Sequence, residues 1–291
     1  AGLCRASMRA KDRPQFEGVT MRIWIVAAVA LLTVSTVPAR SGTICTLLLD
    51  ARSAKVVLED GDCASRVTPA STFKIPLAVM AYDAGILKNA HDPVMKFRPG
   101  DPDWGGANWT RDTDPADWMR HSVVWYSQRI TRAMGGAALT RYAREFGYGN
   151  ADFSGDPGLG NGLERAWISS SLKISPREQA AFLRSLVLDA LPVQRQAMSH
   201  ARDLVEVRQS GSWQLHGKTG TAYPRRADRS FDYAHGWGWY AGWAQRKADD
   251  RLLVFVRLTQ TSKRSPASPG QLARDAFLQE WPQLSGRPSA P

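Results

Sequence analysis

The sequence predicts an α+β sandwich, in which one antiparallel sheet is formed by both ends of the chain, flanked by helices, beside a mostly helical second region. Two β-branched and apolar runs at 43–50 and 54–59 are separated by a short polar turn, as in an antiparallel hairpin. Runs of the same kind recur far downstream, at 213–216, 237–245 and 252–258. Strands near both ends, with helical signals between them, favour a single sheet to which both ends contribute.

The central part of the sequence contains helix signals. Residues 71–82 predict a helix, and Pro76 places Ser71 at its N-terminus because proline is tolerated only in the first turn. Residues 114–134 predict a second helix, with proline at its first position. Further helices are predicted at 137–146, after the Ser175–Glu178 capping box, and at 272–281.

The composition is that of a folded protein with a basic surface. The chain has 291 residues, of which 43% are hydrophobic, so a sizeable core is available and global disorder is excluded. The formal net charge is +11, which would attract nucleic acid or anionic lipid if it were concentrated in one place. Because no basic run with interleaved aromatic residues occurs, a scattered basic surface is favoured and no nucleic-acid partner is predicted.

An export signal is predicted early in the sequence. Met21 and Arg22 precede an apolar run at 23–34, and Val37-Pro38-Ala39 is a small-residue cleavage site. The run is too short to cross a bilayer, which needs about 20 apolar residues. A buried core helix is the alternative, and the flanking Arg22 and Pro38 disfavour it. We therefore expect a leader at 1–20, a signal peptide at 21–39 and one folded domain at 40–291, without membrane attachment after cleavage.

Two cysteines remain after the predicted cleavage, Cys45 and Cys63, because Cys4 lies in the leader. An even number of cysteines in an exported protein predicts a disulfide, with two buried free thiols as the alternative. Neither these cysteines nor the five histidines have the spacing of a metal site, so no metal is predicted.

The first cluster with chemical potential is Ser71-Thr72-Phe73-Lys74. On a helix, residues three apart share a face, about 5–6 Å between Cβ atoms, which brings the amine beside the hydroxyl. A serine hydroxyl needs an adjacent base, and burial lowers the pKa of a lysine until it can be that base. The tetrad alone also fits a helix-capping serine with a surface lysine. Three more clusters follow in order and favour a catalytic serine: Ser122-Val123-Val124, Tyr148-Gly149-Asn150 and Lys218-Thr219-Gly220.

With these clusters the chain resembles the class D serine β-lactamases, or oxacillinases, over residues 43–281. Trp167 and the Gly-Trp-Tyr-Ala-Gly-Trp run at 238–243 fit the same family. The second cluster lacks the asparagine of the class A Ser-Asp-Asn motif, and no Glu-x-x-Leu-Asn stretch occurs. Thr221 stands where class D proteins more often have Phe or Tyr, and this departure bears on substrate range.

The resemblance implies a role for each catalytic residue. Ser71 would attack the lactam carbonyl, and Lys74, carboxylated by CO2, would act as general base. Trp167 would donate its indole N–H to that carbamate, with plain core packing as the alternative. Ser122 would pass a proton to the leaving nitrogen, unless it is an ordinary helix serine. Lys218 would orient Ser122 and the substrate carboxylate.

Binding and supporting residues are implied in the same way. Backbone N–H groups of Ser71 and Thr221 would form the oxyanion hole, which contributes about 2.7–4 kcal/mol per donor. Arg274 would clamp the substrate carboxylate, with a surface arginine as the alternative, and Trp109 would form an aromatic lid. Further substrate contacts are assigned to Thr219 and Gly220, and pocket or supporting positions to Val124, Tyr148, Asn150 and Ile168.

The predicted function is hydrolysis of penicillins and related β-lactams in the bacterial periplasm, with no cofactor beyond the CO2 that modifies Lys74. Two other functions use the same residues. A penicillin-binding transpeptidase or carboxypeptidase would deacylate slowly, and Thr221 fits it. A non-hydrolytic β-lactam sensor domain would stay acylated. The cleavable signal, without further membrane segments, favours the hydrolase.

Overall fold

The computed structural model describes residues 42–286. In this part of the chain six strands form one sheet, in which every neighbouring pair is antiparallel and the order is β2-β1-β6-β5-β4-β3. The strands are β1 (Gly42–Asp50), β2 (Val56–Gly61), β3 (Val207–Ser210), β4 (Trp213–Ala222), β5 (Trp237–Arg246) and β6 (Arg251–Gln260).

The sheet joins the two ends of the described chain, as predicted. Strand β1 pairs with β2 on one side and with β6 on the other, where Leu47 is opposite Val256. The predicted hairpin is therefore confirmed, and the remaining predicted strands are present with longer bounds. Strand β3 escaped prediction because its four residues, Val207–Ser210, are mostly polar and exposed at the sheet edge.

Helices lie on both faces of the sheet. They are α1 (Lys74–Asp83), α2 (Pro115–His121), α3 (Val124–Met134), α4 (Gly136–Glu145), α5 (Gly162–Arg165), α6 (Pro176–Val187), α7 (Arg195–Asp203) and α8 (Pro269–Ser285). Alternation along β6 provides the two cores. Leu253 and Phe255 pack with Phe277 and Trp281 of α8. Val254, on the other face, packs into the larger core that contains helices α1 to α7.

Two predicted helices differ from the structure. The segment 71–82 is a 3-10 turn, Ala70–Phe73, followed by α1, so Pro76 lies in the first turn of α1. The segment 114–134 is not one helix: α2 ends at Ser122, whose φ of 56° is left-handed, and α3 begins at Val124. A left-handed residue cannot continue a right-handed helix, so the single-helix prediction is wrong at this point. The break decides where the Ser122 side chain lies.

The predicted disulfide is confirmed. Cys45 and Cys63 are bonded with an S–S distance of 2.01 Å and a Cα–Cα distance of 5.1 Å. The bond ties β1 to the segment that follows β2. The alternative of two free thiols is therefore wrong.

The capping box before α6 is also confirmed. The Ser175 side chain accepts from the backbone N–H of Glu178, and the Glu178 side chain accepts from that of Ser175. The predicted leader and signal peptide, 1–20 and 21–39, lie outside the described residues. Among residues 42–286 no helix is long and apolar enough to cross a membrane.

Candidate active site

The 3-10 turn that carries Ser71 is held by buried hydrogen bonds. The Thr72 hydroxyl donates to the Pro69 carbonyl at 2.7 Å and accepts from the Gln179 side-chain amide at 3.0 Å. Strand β4 packs directly against the turn, since a methyl group on Gly220 would lie 3.0 Å from the Pro69 carbonyl oxygen. Ser71 is half-buried at this junction. The nucleophile candidate is thus fixed between a helix start and a strand.

Lys74 is the first residue of α1, and its side chain is fully buried. Its ammonium nitrogen Nζ has no hydrogen-bond partner among residues 42–286. Burial, and then the charge of nearby Lys218, hold the pKa of Lys74 well below its ordinary value of 10.5. A charged amine without a partner is costly to bury, so the surroundings of Lys74 favour its neutral form. The alternative of a surface lysine in the first cluster is wrong.

At the helix break, the Ser122 hydroxyl lies within hydrogen-bond distance of the Lys218 ammonium. The left-handed conformation at Ser122 ends α2, and the Lys218 ammonium donates to the Ser122 hydroxyl at 2.5 Å and to the Thr219 carbonyl at 3.2 Å. Burial and the charge of Arg274 lower the pKa of Lys218 to about 8, against the opposing charge of Glu206. The two buried lysines therefore share a lowered pKa, and burial is the largest cause in both.

Strand β4 extends beyond β3, which pairs only with its residues Trp213–His216. The Gly217 N–H donates to the Glu206 carbonyl on the β3 side at 3.0 Å. Alternate residues of an antiparallel strand direct their N–H groups to the same side. The N–H groups of Thr219 and Thr221 therefore point to the same side of β4, past the end of β3. The oxyanion-hole role of the Thr221 N–H stays a prediction.

The side chain of Thr221 performs a different task. Its hydroxyl accepts from the Gly270 N–H at 2.9 Å, at the beginning of α8. A methyl group on Gly270 would lie 2.6 Å from the Gly220 carbonyl oxygen, so helix and strand are in close contact. Because a larger side chain at position 221 would meet α8, this contact is a local reason for threonine here.

Trp167 packs against the 3-10 turn that carries Ser71. Its side chain is buried and stacks on Phe73, with ring centroids 5.4 Å apart. The Thr68 hydroxyl donates to the Trp167 carbonyl at 2.8 Å and accepts from the Ser169 N–H at 3.1 Å. The Trp167 segment is therefore fastened to the residues that precede Ser71. Ile168, beside it, is partly buried against the same core.

The Tyr148-Gly149-Asn150 cluster fastens the far side of this segment. The Asn150 side chain accepts from the Lys173 N–H at 2.9 Å and donates to the Ser171 carbonyl at 2.8 Å. Gly149 has φ +60°, and a methyl group there would lie 2.0 Å from the Lys173 carbonyl oxygen, so only glycine fits. The Tyr148 ring is buried 5.9 Å from that of Phe73, and burial raises the pKa of its hydroxyl. These contacts fit the supporting role predicted for the cluster.

Two further predicted residues, Val124 and Arg274, lie on helices α3 and α8. Val124 is buried at the first position of α3. Arg274 lies on α8 with its side chain 18% exposed, next to the Asp275 carboxylate, to which it donates at 2.8 Å. Its positive charge contributes to the lowered pKa of Lys218.

Trp109 is buried, although it was predicted to form an aromatic lid. Its indole N–H donates to the His121 carbonyl at 2.8 Å, immediately before Ser122. The exposed ring here belongs to Trp104, which is 69% exposed and packs on Trp109 with centroids 4.3 Å apart. Sequence reasoning missed Trp104. An apolar ring between Asp103 and Gly105, in a loop rich in Gly and Asp, was the available signal.

The fold and the site together define a serine acyl-transfer protein of the penicillin-binding type. The family model of the penicillin-binding protein transpeptidase domain matches residues 42–278. The chain belongs to that family, within its class D β-lactamase group. It is 38% identical to β-lactamase OXA-9 of Klebsiella pneumoniae over 243 residues, which cover 83% of this chain and 88% of that protein.

Solved structures show the same relationship. The crystal structure of the class D β-lactamase OXA-427 is 44% identical with a TM-score of 0.77, over 83% of this chain and 98% of that one. The C-terminal domain of the Bacillus licheniformis BlaR penicillin receptor has 25% identity and a TM-score of 0.70, over 85% and 92% of the two chains. Among residues 42–286 no group of three or more His, Cys, Asp or Glu is arranged to hold a metal ion.

Proposed function

We propose that this protein hydrolyses the β-lactam ring of penicillins through an acyl-enzyme on Ser71, with a carbamate on Lys74 as the general base. The observation that carries the proposal is the fully buried amine of Lys74, three residues from Ser71 and without a hydrogen-bond partner among the described residues, whose pKa burial holds well below its ordinary value. A structural lysine would have no reason to be kept in this state, whereas CO2 reacts only with a neutral amine.

The carbamate forms by a balanced reaction. The amine lone pair attacks the carbon of CO2, a new N–C bond forms, and one N–H proton leaves to solvent. The Lys218 charge that disfavours an ammonium group at Lys74 would stabilise the resulting anion. The Trp167 indole N–H would donate to this carbamate, and the stacking of the Trp167 ring on Phe73, the residue before Lys74, supports that role.

Acylation would use the Ser71 hydroxyl as nucleophile, two backbone N–H groups as oxyanion donors, and Ser122 with Lys218 as proton donors. The carbamate accepts the Ser71 proton while the hydroxyl oxygen attacks the lactam carbonyl, and the backbone N–H groups of Ser71 and Thr221 receive the developing oxyanion. The C–N bond of the lactam then breaks. The leaving nitrogen takes a proton from Ser122, which is replenished from the Lys218 ammonium.

Deacylation uses the same base a second time. After acylation the carbamate first releases the Ser71 proton to solvent, and Lys218 takes a proton back from solvent, so both groups regain their starting charge. The carbamate then takes a proton from a water molecule, the resulting hydroxide attacks the ester carbonyl, and Ser71 leaves with that proton. Arg274, Thr219 and Lys218 hold the substrate carboxylate during both steps, since an arginine matches a carboxylate as a two-pronged donor. This second use of the base separates a hydrolase from proteins that only become acylated.

Turnover of a chromogenic cephalosporin tests the proposal. Sustained hydrolysis is expected from the wild-type protein, and none from Ser71→Ala, which should also show no covalent adduct by intact-protein mass spectrometry. A single stoichiometric burst would instead support the receptor-like function, which the similarity to the BlaR domain makes the second candidate. A full-strength adduct on the Ser71→Ala protein would overturn the assignment of the nucleophile.

A further inference from the structure

A second recess opens beside the catalytic centre, where the loop after β4, the loop after β6 and the Trp104 loop converge. It encloses about 540 Å³, which lies within the range of roughly 300–1,000 Å³ typical of small-molecule sites. We call it the basic cleft, and define it by Trp104, Tyr223, Tyr233, Lys263, Arg264 and Pro269. None of its lining residues within the described chain carries a carboxylate.

The charge of the cleft comes from Lys263 and Arg264, which lie in the loop between β6 and α8. Both residues are exposed. The Arg264 guanidinium lies 5.3 Å from the ring centroid of Tyr233, within the range of a cation–π contact. Neither cation forms an ion pair with any carboxylate among residues 42–286. Two cations without counter-charges, side by side at a recess, favour an anionic ligand.

The other wall of the cleft is aromatic. Tyr223 and Tyr233 pack edge to face with centroids 4.8 Å apart, and Trp104 presents an exposed ring. Large apolar side chains at the rim of a polar recess mark places where a ligand covers them. The cleft therefore combines ring faces with positive charge, which suits a ligand that carries an aryl group next to an anion.

Each wall of the cleft is linked, through contacts or through the sequence, to the segments that carry Ser122 and Thr221. Trp104 packs on Trp109, whose indole N–H donates to the carbonyl that precedes Ser122. Tyr223 follows Thr221 by two residues, and Pro269 precedes the Gly270 N–H that donates to the Thr221 hydroxyl. The recess therefore borders elements that carry residues of the predicted site.

We infer, on the basis of the proposed hydrolysis, that the basic cleft is a subsite for the side chain of penicillins that carry an aryl ring and a second carboxylate. The ring would lie among Trp104, Tyr223 and Tyr233. The extra carboxylate would be held by Lys263 and Arg264. The subsite sets which β-lactams are preferred and takes no part in the chemical steps.

Two penicillins that differ by one carboxylate test the inference. Benzylpenicillin and carbenicillin share the phenyl side chain, and carbenicillin adds a carboxylate beside the ring. The readout is the ratio of kcat/KM for carbenicillin to kcat/KM for benzylpenicillin. Exposed ion pairs contribute modestly, so each lost charge should lower this ratio about two- to threefold. The double variant Lys263→Gln, Arg264→Gln should lower it about fivefold, mainly through KM.

A matched control removes the same charge elsewhere. Arg195, the first residue of α7, and Lys247, in the turn between β5 and β6, are both exposed. The variant Arg195→Gln, Lys247→Gln should leave the ratio at its wild-type value. Added salt should lower the ratio in the wild type and not in the Lys263 and Arg264 double variant. Equal ratios in wild type and both double variants would overturn the inference.

A probe without a lactam ring separates this inference from the proposed hydrolysis. Phenylmalonate carries the aryl ring and the carboxylates, and it should bind the Ser71→Ala protein and shift the Trp104 indole resonance in NMR, identified with Trp104→Phe. The saturable shift should be lost when Lys263 and Arg264 are both glutamine. A shift that survives this change, or no shift at any concentration, would overturn the subsite even where β-lactams are hydrolysed.

Discussion

Replacing Trp167 with phenylalanine isolates the proposed hydrogen bond to the carbamate from the packing of the ring. Phenylalanine keeps an aromatic face against Phe73, where the two rings now stack at 5.4 Å, but it removes the indole N–H. Replacement by alanine would instead open a cavity in a buried site, at a cost of about 3–5 kcal/mol in stability. The phenylalanine variant is therefore the better test of function.

The size of the effect follows from the charge on the acceptor. A hydrogen bond to a charged group contributes about 1.5–3 kcal/mol, and each 1.4 kcal/mol is about tenfold in an equilibrium constant. The CO2 concentration that gives half-maximal carboxylation of Lys74 should therefore rise about 10- to 100-fold in Trp167→Phe. The change in Lys74 carboxylation with pH also has a definite direction. Because only the neutral amine reacts, lowering the pH through the depressed pKa of Lys74 removes the carbamate.

Steady-state hydrolysis of benzylpenicillin at several bicarbonate concentrations measures this shift. In CO2-depleted buffer at mildly acid pH, wild-type progress curves should begin with a burst and then slow, and bicarbonate should restore the rate. Trp167→Phe should need far more bicarbonate for the same recovery. Carbon-13 NMR with labelled bicarbonate should show the carbamate directly in the wild type. If both proteins ignore bicarbonate and no carbamate resonance is found, the general base is not a carboxylated lysine.

Three further predictions concern other parts of the molecule. Since the pKa of Lys218 is about 8, substrate binding should weaken as the pH rises through that value, seen as a rise in KM, and Lys218→Arg should move this limb to higher pH; an unchanged limb would exclude Lys218 as its source. Asn150→Ala loses two hydrogen bonds to the 171–173 backbone and should cost about 1–2 kcal/mol in urea unfolding, whereas no loss would refute the supporting role. Mass spectrometry of exported protein should show a start near Arg40 and, on reduction, a gain of two hydrogens at Cys45 and Cys63; retention of residues 21–39 would refute the predicted signal peptide.

Local sequence determined the elements whose signals are complete within a few residues. The Ser175 capping box, the hairpin near the start of the described chain and the position of Pro76 in the first turn of α1 were all predicted correctly. In each case the side chains that fix the backbone are neighbours in sequence, so no distant contact is needed. The disulfide was predicted from the number of cysteines alone, because only Cys45 and Cys63 remain after the predicted cleavage site.

The helix break at Ser122 was decided by tertiary structure. No glycine or proline marks it, and the flanking residues His121 and Val123 favour no turn. The left-handed conformation costs about 1–2 kcal/mol, and the surrounding structure holds it. Trp109 is bonded to the His121 carbonyl, and Lys218 to the Ser122 hydroxyl, and both partners are distant in sequence. Periodicity alone cannot register such contacts.

The sequence and the tertiary structure each determined a part of the chemistry expected at Lys74. The sequence placed an amine three residues from a serine, and the same spacing would occur on any exposed helix. Full burial of Lys74 and the nearby charge of Lys218 arise only when the sheet packs against the turn that carries Ser71. Desolvation depends on everything that surrounds a group. The sequence spacing therefore identified Ser71 and Lys74 as a pair, whereas the tertiary structure determined the pKa of Lys74.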